Sequence, residues 1–424
     1  MNLHRFKPMP SGRMGIFWTL AGIKESAIVE FGCMGHNLYG GSSLRRSGIY
    51  EGYGAPLYAT YIDETDISLG DTSRLEAVIS QVIKTDNPKV VFLQPSAVPE
   101  VIGTDLFALA NIMQPEFPET KLIPIGHGSF AISKHRGVQE ALLALAETLP
   151  ADIKISKNPT YNIIGSCPDL FRFGADAGEI VRLMKGAFDM EPVCILSSDT
   201  SISDIEKMGA AHINLVIRRE GIQAAEALQK RFGTPYILGR PYGIKGTSDW
   251  LYKVGGVLGK ETAKSVISFN KFNKFNEFIE TEQNLAYAQI RHAYDYLEGN
   301  EWSRPEEAVL SLGGHIDVVN GILAFATTEL PLHKGVCWCD CPEMADGEIP
   351  YYTEEEWIPV VKNHSKGYLM FSGEALKWAG KNTHMQIANP DIAWRLHPYE
   401  PPFAGYRGAV NLVNLWINEY VLTH

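Results

Sequence analysis

The sequence of 424 residues lacks the features that mark membrane-spanning and nucleic-acid-binding chains. It has no apolar stretch that approaches the roughly 18 to 20 residues needed to cross a bilayer. No run of Lys or Arg stands out against a formal net charge of −11, which disfavours a nucleic-acid partner. The apolar residues 14–23 follow Arg5 and Lys7 as in a signal peptide, but Arg13 adjoins the run and no small-residue cleavage site follows. We therefore expect a helix of the fold there, and a cytoplasmic protein without a membrane segment.

The sequence also has no low-complexity tract and no short-period repeat, so extensive disorder is not expected. Hydrophobic residues make up 45% of the chain, which is enough for two or three domains with cores of their own. The chain has six cysteines, which in a large cytosolic protein do not indicate a disulfide framework. They are either reduced thiols or, for some of them, metal ligands.

Predicted strands and helices alternate along the chain, and the alternation restarts three times. Among these elements are an amphipathic helix at residues 75–84 and a strand at residues 307–312. Residues 150–159 are polar and bounded by prolines, as in a linker, and a long helical stretch at residues 260–298 leads to the last segment. Alternation of this kind is typical of βαβ units with parallel sheets. The sequence therefore predicts an α/β fold with domains at residues 1–155, 156–299 and 300–424, the middle one including the bridging helices.

Ligands of open parallel sheets bind at the carboxyl ends of the strands, where the strand order reverses. Functional residues are therefore expected directly after strands. The positions that meet this condition are Cys33, Pro95 with Ser96, Gly126 with His127, Gly313 with Gly314, and Cys339 with Cys341.

Four segments, in this order, resemble the motifs of one protein family. They are GIFWTLAGIKESAIVEFGCMGH (15–36), PSAVPEVIGTDL (95–106), FGTPYILGRPYGIKGTSDWL (232–251) and RLHPYEPPFAGYRGAVNL (395–412). Together they are similar to component 1 of the nitrogenase-like oxidoreductases. That family includes the nitrogenase molybdenum-iron proteins, their cofactor-assembly scaffolds, and reductases of the chlorophyll and nickel-tetrapyrrole pathways. The chain is closer to the second, non-cofactor-binding type of subunit.

The resemblance implies three Rossmann-like domains with parallel sheets around a central cleft. It implies an iron–sulfur cluster of the 4Fe–4S type at a subunit interface, and a partner resembling the nitrogenase iron protein, which delivers electrons one at a time. The sequence contains neither G-x-G-x-x-G nor G-x-x-x-x-G-K-S/T. We therefore expect ATP to be used by that partner reductase and not by this chain.

The sequence departs from the family at the interface cluster. The three expected cysteine positions fall at Ser11, His36 and Ala97, and none of them is Cys. Either His36, at the loop position itself, or Cys33, three residues before it, could still bind metal, and a thiolate is the better iron ligand. A complete site would then need either a homodimer or a paired component 1-type subunit that supplies further cysteines. Otherwise Cys33 is a small side chain in a tight turn and His36 a polar residue bonded to backbone.

A second departure concerns the large cofactor, which nitrogenase holds by one Cys and one His of its catalytic subunit. These positions fall at Ile217 and His397 in this sequence. His397 could contact a cofactor, but Ile217 has no ligand atom. The chain is therefore not expected to be the catalytic subunit of a nitrogen-fixing enzyme.

Three further cysteines lie at alternate positions, Cys337, Cys339 and Cys341. In an extended strand such residues share one face, so three thiolates could hold an iron–sulfur cluster or zinc. A flat strand would space alternate thiols by about 6.6 to 7 Å, which is wide for a single metal ion. The alternative is a buried strand rich in small apolar residues.

Two histidines and one arginine follow predicted strands and could contact a ligand. His127 lies in GHGSF, and His315 follows Gly313 and Gly314, so each is either a binding residue or a solvated turn residue. Arg218, with Arg219 beside it, could bind an anionic substrate or could end its strand in solvent.

Three functions are compatible with these observations. The first is a subunit of a nitrogenase-like reductase that passes electrons through the interface cluster to a small-molecule substrate. The second is a non-catalytic scaffold for assembly or transfer of a metallocluster, which the replaced cysteine positions favour somewhat. The third is a small-molecule binding protein of the same design without metal.

Overall fold

The computed structural model describes residues 11–33, 35, 54–126, 132–261, 269–297, 308–363, 367–372, 384–388 and 401–423. Within them the chain forms three four-stranded parallel sheets, one in each third of the sequence, together with a small two-stranded sheet. The predicted α/β class with parallel sheets is confirmed. No helix among the described residues is long and apolar enough to pass through a membrane.

The first unit follows the predicted alternation of strands and helices. Its elements are α1 (Gly12–Ala21), β1 (Ile23–Lys24), β2 (Ser26–Phe31), β3 (Leu57–Ala59), α2 (Glu64–Leu69), α3 (Ser73–Asp86), β4 (Val90–Pro95), α4 (Ala97–Val101), α5 (Leu106–Met113), β5 (Lys121–Pro124) and α6 (Lys134–Thr148). The helix predicted at residues 75–84 is α3. Its Leu75, Ile79 and Val82 are buried because they recur on one face every three or four residues.

The second unit contains the bridging helices. Its elements are β6 (Thr160–Ser166), α7 (Phe173–Phe188), β7 (Glu191–Ser197), β8 (Thr200–Ser201), α8 (Ile202–Glu206), β9 (Ile213–Val216), α9 (Ile222–Phe232), β10 (Tyr236–Leu238), α10 (Ile244–Glu261) and α11 (Phe269–Leu297). The short strand β8 pairs in parallel with β1, with Ile23 opposite Thr200. This pairing joins the first unit to the second.

The third unit ends in a helix that returns to the second. Its elements are β11 (Val309–Gly314), α12 (Ile316–Thr328), β12 (His333–Cys339), α13 (Glu354–Lys362), β13 (Tyr368–Ser372), β14 (His384–Ala388) and α14 (Gly405–Thr423). Helix α14 packs against α11 and α7. One hydrophobic core therefore runs across both units, from Tyr161 to Trp416. The division into three domains stays a prediction, although each four-stranded sheet lies within one of the predicted ranges.

All three four-stranded sheets have the same strand order. The first strand of each sheet lies between the second and the third, giving β3–β2–β4–β5, β7–β6–β9–β10 and β12–β11–β13–β14. In each sheet the second strand is added on one side of the first strand, and the third and fourth are added on the other side. The strand order therefore reverses at the carboxyl ends of β2, β6 and β11, which are the switch points of the sheets. Cys33, Asp169 and His315 each follow one of these ends closely.

Helices α1 and α6 cross so closely that the contact requires glycine. A Cβ atom on Gly15 would lie 2.0 Å from the carbonyl oxygen of Lys134, and one on Gly137 would lie 1.9 Å from that of Gly12. The backbone N–H of Gly12 also donates to the carbonyl of Ile132 over 2.8 Å. The crossing therefore holds the first turn of α6 against the start of α1.

Candidate functional site

Charged and imidazole side chains from all three units meet in the interior, where strand ends converge. We call this group the junction network, and it consists of Lys134 and His135 at the start of α6, Asp169 after β6, Arg218 and Glu220 after β9, His315 after β11 and Asp340 after β12. Six of the seven side chains are buried, and that of Asp340 is 18% exposed. The network lies where sequence reasoning placed functional residues, at the carboxyl ends of parallel strands.

Arg218 ties two carboxylates of the second unit together. Its Nε and Nη2 donate to Glu220 over 3.0 and 2.6 Å, and its Nη1 and Nη2 donate to Asp169 over 2.6 and 3.0 Å. The residue is 0% exposed, so the alternative of a solvated strand end is wrong. These two carboxylates take the donors that an anionic substrate would need. The neighbouring Arg219 binds Asp317 at the start of α12.

Glu220 receives hydrogen bonds from each of the three units. Besides Arg218, its Oε1 is 2.7 Å from His135 Nδ1 of the first unit and 2.9 Å from His315 Nε2 of the third. Burial by itself would raise the pKa of Glu220, but the charge of Arg218 and the two histidines hold this pKa well below its usual value. Glu220 is therefore an ionised carboxylate at the centre of the network.

His135 lies between two carboxylates. Its Nδ1 faces Glu220, and its Nε2 is 3.1 Å from Asp340 Oδ1. Burial and the charge of Lys134 would lower the pKa of His135, but Asp340 and Glu220 outweigh them and raise it. Both nitrogens face carboxylate oxygens, which only accept hydrogen bonds when ionised, so the ring donates from both nitrogens in its imidazolium form. Lys134, His135 and Arg218 then balance the three negative charges of Asp169, Glu220 and Asp340.

The ligand types for a single metal ion are present in this network. One ligand atom each from His135, Glu220 and His315 lies within 4.8 Å of the others, and two imidazoles with one carboxylate suit zinc or iron. The hydrogen bonds indicate that protons, and not a metal ion, lie between these side chains. The backbone N–H of Asp317 donates to His315 Nδ1, so neutral His315 carries its hydrogen on Nε2, toward Glu220. Arg218 and His135 donate to the same carboxylate.

A second group of residues, which we call the Cys33 edge, lies where β2 and β4 end. It comprises Ser11, Cys33 and Ala97, which are positions expected to hold the interface cluster, together with Ser96 and Glu100. Arg13 binds Glu30 of β2 through two hydrogen bonds of 2.5 Å, and Gln94 of β4 donates to the carbonyl of Arg13. These contacts bring the start of α1 to the carboxyl ends of β2 and β4. Cys33 is partly exposed there.

The Cys33 edge has donor atoms that fit an iron–sulfur cluster in part. A Cβ atom on Gly32 would lie 2.5 Å from Ser96 Oγ, so glycine is needed beside Cys33. Ser96 Oγ and Glu100 Oε2 are buried and have no hydrogen-bond partner in the described part of the chain. One thiolate and these oxygen atoms could hold one side of a cluster, whereas Ser11 and Ala97 offer no thiolate.

The alternating cysteines end a buried strand of the third unit. Cys337 and Cys339 point into the core shared with the second unit, the Cys339 thiol donates to the carbonyl of Cys341, and the Cys341 thiol donates to Glu343. Burial raises the pKa of Cys339 to about 11 and that of Cys341 to about 12. The three sulfur atoms do not form a ligand group among the described residues. The metal site on this strand stays a prediction, which these contacts do not support.

Other predicted positions are as follows. His36, His127 and His397 lie outside the described residues. Ile217 is 1% exposed at the end of β9, directly before Arg218. The remaining cysteines, Cys167 and Cys194, are buried, as expected for structural thiols.

Sequence reasoning missed most of the junction network. Lys134, His135, Asp169, Glu220 and Asp340 were not identified, although each of them follows a strand or begins a helix that follows one. Their common position at strand ends was the available signal. Asp340 lies between Cys339 and Cys341, and the alternating cysteines indicate a thiolate site more directly than a charged one.

The family model described as nitrogenase component 1 type oxidoreductase matches residues 11–302. A nitrogenase iron-molybdenum cofactor biosynthesis protein NifE from Clostridium pasteurianum is 25% identical over 269 residues, which are 63% of this chain and 55% of that protein. One subunit of the light-independent protochlorophyllide reductase of Chlorobium luteolum is 27% identical over 190 residues, which are 45% of this chain and 35% of that protein.

The sequence similarity to these relatives covers only part of each protein, whereas the structural similarity extends over nearly the whole chain. The chain spans about half the length of the NifE protein and about a third of the protochlorophyllide reductase protein. The solved structure of nitrogenase Cp1 at pH 6.5 superposes with a TM-score of 0.77 at 19% identity, covering 99% of this chain and 94% of that chain. The arrangement of all three units is therefore that of a nitrogenase component 1 fold.

Proposed function

Because this chain belongs to the family of nitrogenase component 1 type oxidoreductases, we propose that it is one subunit of a nitrogenase-like reductase. An ATP-dependent iron protein would deliver electrons to an iron–sulfur cluster at an interface built on the Cys33 edge. The electrons would reduce a small-molecule substrate near the junction network. The interface partner is either a second copy of this chain or a paired component 1-type subunit. When bound, the cluster supplies one-electron transfer.

The observation that carries this proposal is the short path between the Cys33 edge and the junction network. Ser11 of the Cys33 edge forms a backbone bridge with Ser133, and the next two residues along the chain are Lys134 and His135 of the network. The close crossing of α1 and α6 fixes this path. The Cys33 edge, where an electron carrier would bind, therefore lies on one side of the start of α6. The buried, protonated His135 lies on the other side. Reduction of a substrate usually consumes protons as well as electrons, so this arrangement suits it.

His135 is the group that holds a transferable proton in the proposed function. Asp340 and Glu220 fix the ring from its two sides, and Arg218 fixes Glu220 through two hydrogen bonds. Loss of one proton leaves a neutral imidazole that still donates to one of the two carboxylates. The surrounding burial keeps water from exchanging this proton freely.

The similarity to a protochlorophyllide reductase supports a reductase, because that protein is named for reduction. We place the substrate near the three switch points because ligands of parallel sheets bind there.

The cluster is tested by measuring iron and acid-labile sulfide in protein purified without oxygen. We expect iron in the wild type and less iron in Cys33→Ala or His36→Ala, because one of these residues supplies the ligand of this chain. Cys194→Ala is the matched control and should retain the iron, since Cys194 is a buried thiol in the hydrophobic core and is not a predicted metal ligand. Iron that is unchanged in both the Cys33 and the His36 variants would contradict the cluster assignment.

The catalytic part is tested by turnover that requires both an iron protein and ATP. We expect His135→Gln to retain iron and sulfide but to reduce substrate more slowly by about 100-fold, the lower range for loss of a positioned proton donor. The control is His333→Gln, because His333 is exposed at the start of β12. A variant at His135 that turns over at the wild-type rate would refute the role of this residue.

A second candidate function is a scaffold for a metallocluster. It is favoured by the match to NifE, a protein named for cofactor biosynthesis. A scaffold would bind iron and lose it to an acceptor protein, without turnover in the presence of iron protein and ATP. Measuring iron transfer and turnover on the same preparation therefore separates the two functions.

A further inference from the structure

Arg240 is a buried arginine whose hydrogen-bonding capacity is only half used. It follows β10 in the second unit, and its side chain is 3% exposed. Its Nη1 donates to Asp176 over 3.0 Å and to the Tyr242 hydroxyl over 3.4 Å. Its Nε and Nη2 are also buried, and they have no hydrogen-bond partner among the residues that the structure describes. Buried donors of this kind are rare in proteins because they lose water without gaining a partner.

The two unsatisfied atoms belong to one edge of the guanidinium group. The N–H groups of Nε and Nη2 point in the same direction and match the two oxygens of a carboxylate. Three other arginines of this protein use that edge in this way: Arg13 binds Glu30, Arg182 binds Glu179, and Arg218 binds Glu220, each through Nε and Nη2. Arg240 presents the same edge without an acceptor from the described chain.

The carboxylate beside Arg240 is occupied by other donors. Asp176 is the carboxylate that faces it, but the other oxygen of Asp176 accepts the backbone N–H groups of Phe403 and Ala404 over 2.7 and 2.9 Å. Asp176 is therefore already committed to Arg240 Nη1 and to two backbone N–H groups.

The place of Arg240 in the fold is suited to a ligand. It follows the carboxyl end of a parallel strand, as the residues of the junction network do, and it lies close enough to Arg218 for their charges to interact. The neighbouring Tyr242 packs against Gly321 of α12, where a Cβ atom would lie 2.1 Å from the tyrosine ring. Arg240 thus lies between the second unit, the third unit and the segment that precedes α14.

We infer that the Nε and Nη2 edge of Arg240 binds the carboxylate group of an organic ligand. A single carboxylate offers one oxygen to each of the two donors, as Glu30, Glu179 and Glu220 do for the other three arginines. The identification of this ligand with the substrate rests on the proposed function, so that the reductase would act on a small molecule carrying a carboxylate. The binding of the carboxylate itself does not depend on that function.

The test uses acetate as the probe and the purified full chain without added iron protein. Saturation-transfer NMR detects binding through the acetate methyl group, and thermal unfolding is followed in sodium acetate and in sodium chloride of equal ionic strength. We expect a saturable NMR signal, and a rise in melting temperature of about 2 °C at ten times the dissociation constant. Arg240→Lys keeps the charge facing Asp176 but loses the two-donor edge, so both effects should disappear in it. The matched control Arg231→Gln changes an exposed arginine and should behave as wild type.

Three outcomes would overturn the inference. One is an acetate effect that is equal in wild type and Arg240→Lys, which would mark a general salt effect. Another is a stronger, Arg240-dependent effect of inorganic phosphate, which would mark a site for tetrahedral oxyanions. The third is the absence of electron density for acetate beside Nε and Nη2 of Arg240 in a crystal structure of the wild type grown in acetate. This test does not require the variant to fold. Because none of these measurements involves turnover, failure of the proposed reductase function would leave the result intact.

Discussion

Replacement of Arg218 by methionine should strongly destabilise the protein. Met fills the space of the arginine stem, but the change leaves Asp169 and Glu220 buried without the cation that each of them binds at 2.6 Å. Breaking a buried ion pair by removal of one partner costs about 3 to 5 kcal/mol. The loss of two such partners places Arg218→Met at the upper end of this range. A protein of ordinary stability, about 5 to 15 kcal/mol, would lose a large share of it.

The destabilisation should depend on pH, and its sign follows from the two carboxylates. In the wild type the pKa values of Asp169 and Glu220 are lowered, because the charge of Arg218 outweighs the effect of burial. They therefore stabilise the folded state above their unfolded values of about 3.9 and 4.3, and this contribution is lost as the pH falls through the folded values. Without Arg218, the effect of burial is opposed only by the remaining groups, Lys134 beside Asp169 and the two histidines beside Glu220, so both pKa values should be higher than in the wild type. The variant should then gain stability relative to the wild type as the pH falls from 8 to 5.

The assay is urea unfolding followed by fluorescence at pH 8, 6.5 and 5. The control is Arg231→Met, because Arg231 is 37% exposed and binds the exposed Asp152, a surface pair worth about 0 to 1 kcal/mol. If Arg218→Met does not fold at pH 8, Arg218→Lys should fold with a smaller loss, since it keeps one cation. The reasoning is refuted if Arg218→Met resembles the control at pH 8, or if its destabilisation is the same at pH 8 and pH 5.

Three further predictions concern helix contact, thiol accessibility and the network histidine. Gly137→Ala should destabilise the protein by about 1 to 3 kcal/mol, because its Cβ atom would meet the carbonyl of Gly12, whereas Gly178→Ala faces open space and should stabilise it by up to about 1 kcal/mol in the same urea titration. Iodoacetamide should label Cys33 in the metal-free protein before the five buried cysteines, as mass spectrometry of peptides would detect. The raised pKa of His135 stabilises the folded state fully below about pH 6.5, and this contribution is lost as the pH rises through the folded value, so His135→Gln should cost more stability at pH 6 than at pH 9. Equal effects of the two alanine variants on stability would contradict the first prediction, and equal labelling rates of all cysteines would contradict the second. A stability loss in His135→Gln that does not depend on pH would contradict the third.

Most long elements could be predicted from the sequence because their patterns are local. The helix predicted at residues 75–84 is Ser73–Asp86, and the strand predicted at residues 307–312 is Val309–Gly314. The strand Leu57–Ala59 was missed, since three residues are too few to show alternation. Helix Glu354–Lys362 was also missed, although Thr353 with Glu356 is a capping box that the sequence displays.

The site was less predictable because it is made by contacts between distant parts of the chain. The Cys33 loop could be found from its position after a strand and from the family resemblance. Two of the partners of Glu220, His135 and His315, lie 85 and 95 residues away in sequence. No local pattern connects such positions. The repeated strand order of the three sheets is likewise a matter of strand pairing, which the hydrophobic pattern of single strands does not specify.

The charge balance of the junction network links its chemistry to the arrangement of the units. A buried ion network is weak evidence for stability, because apolar residues of similar volume often serve as well. Here one carboxylate, Glu220, receives donors from its own unit and from both others, and the imidazolium of His135 is one of the three cations that balance three anions. If His135 gives up a proton, one carboxylate charge in the interior loses its compensation, and the contacts between the first unit and the other two weaken. We therefore expect transfer of a proton from His135 to be coupled to a change at the junction of the units, which a purely structural ion network would not require.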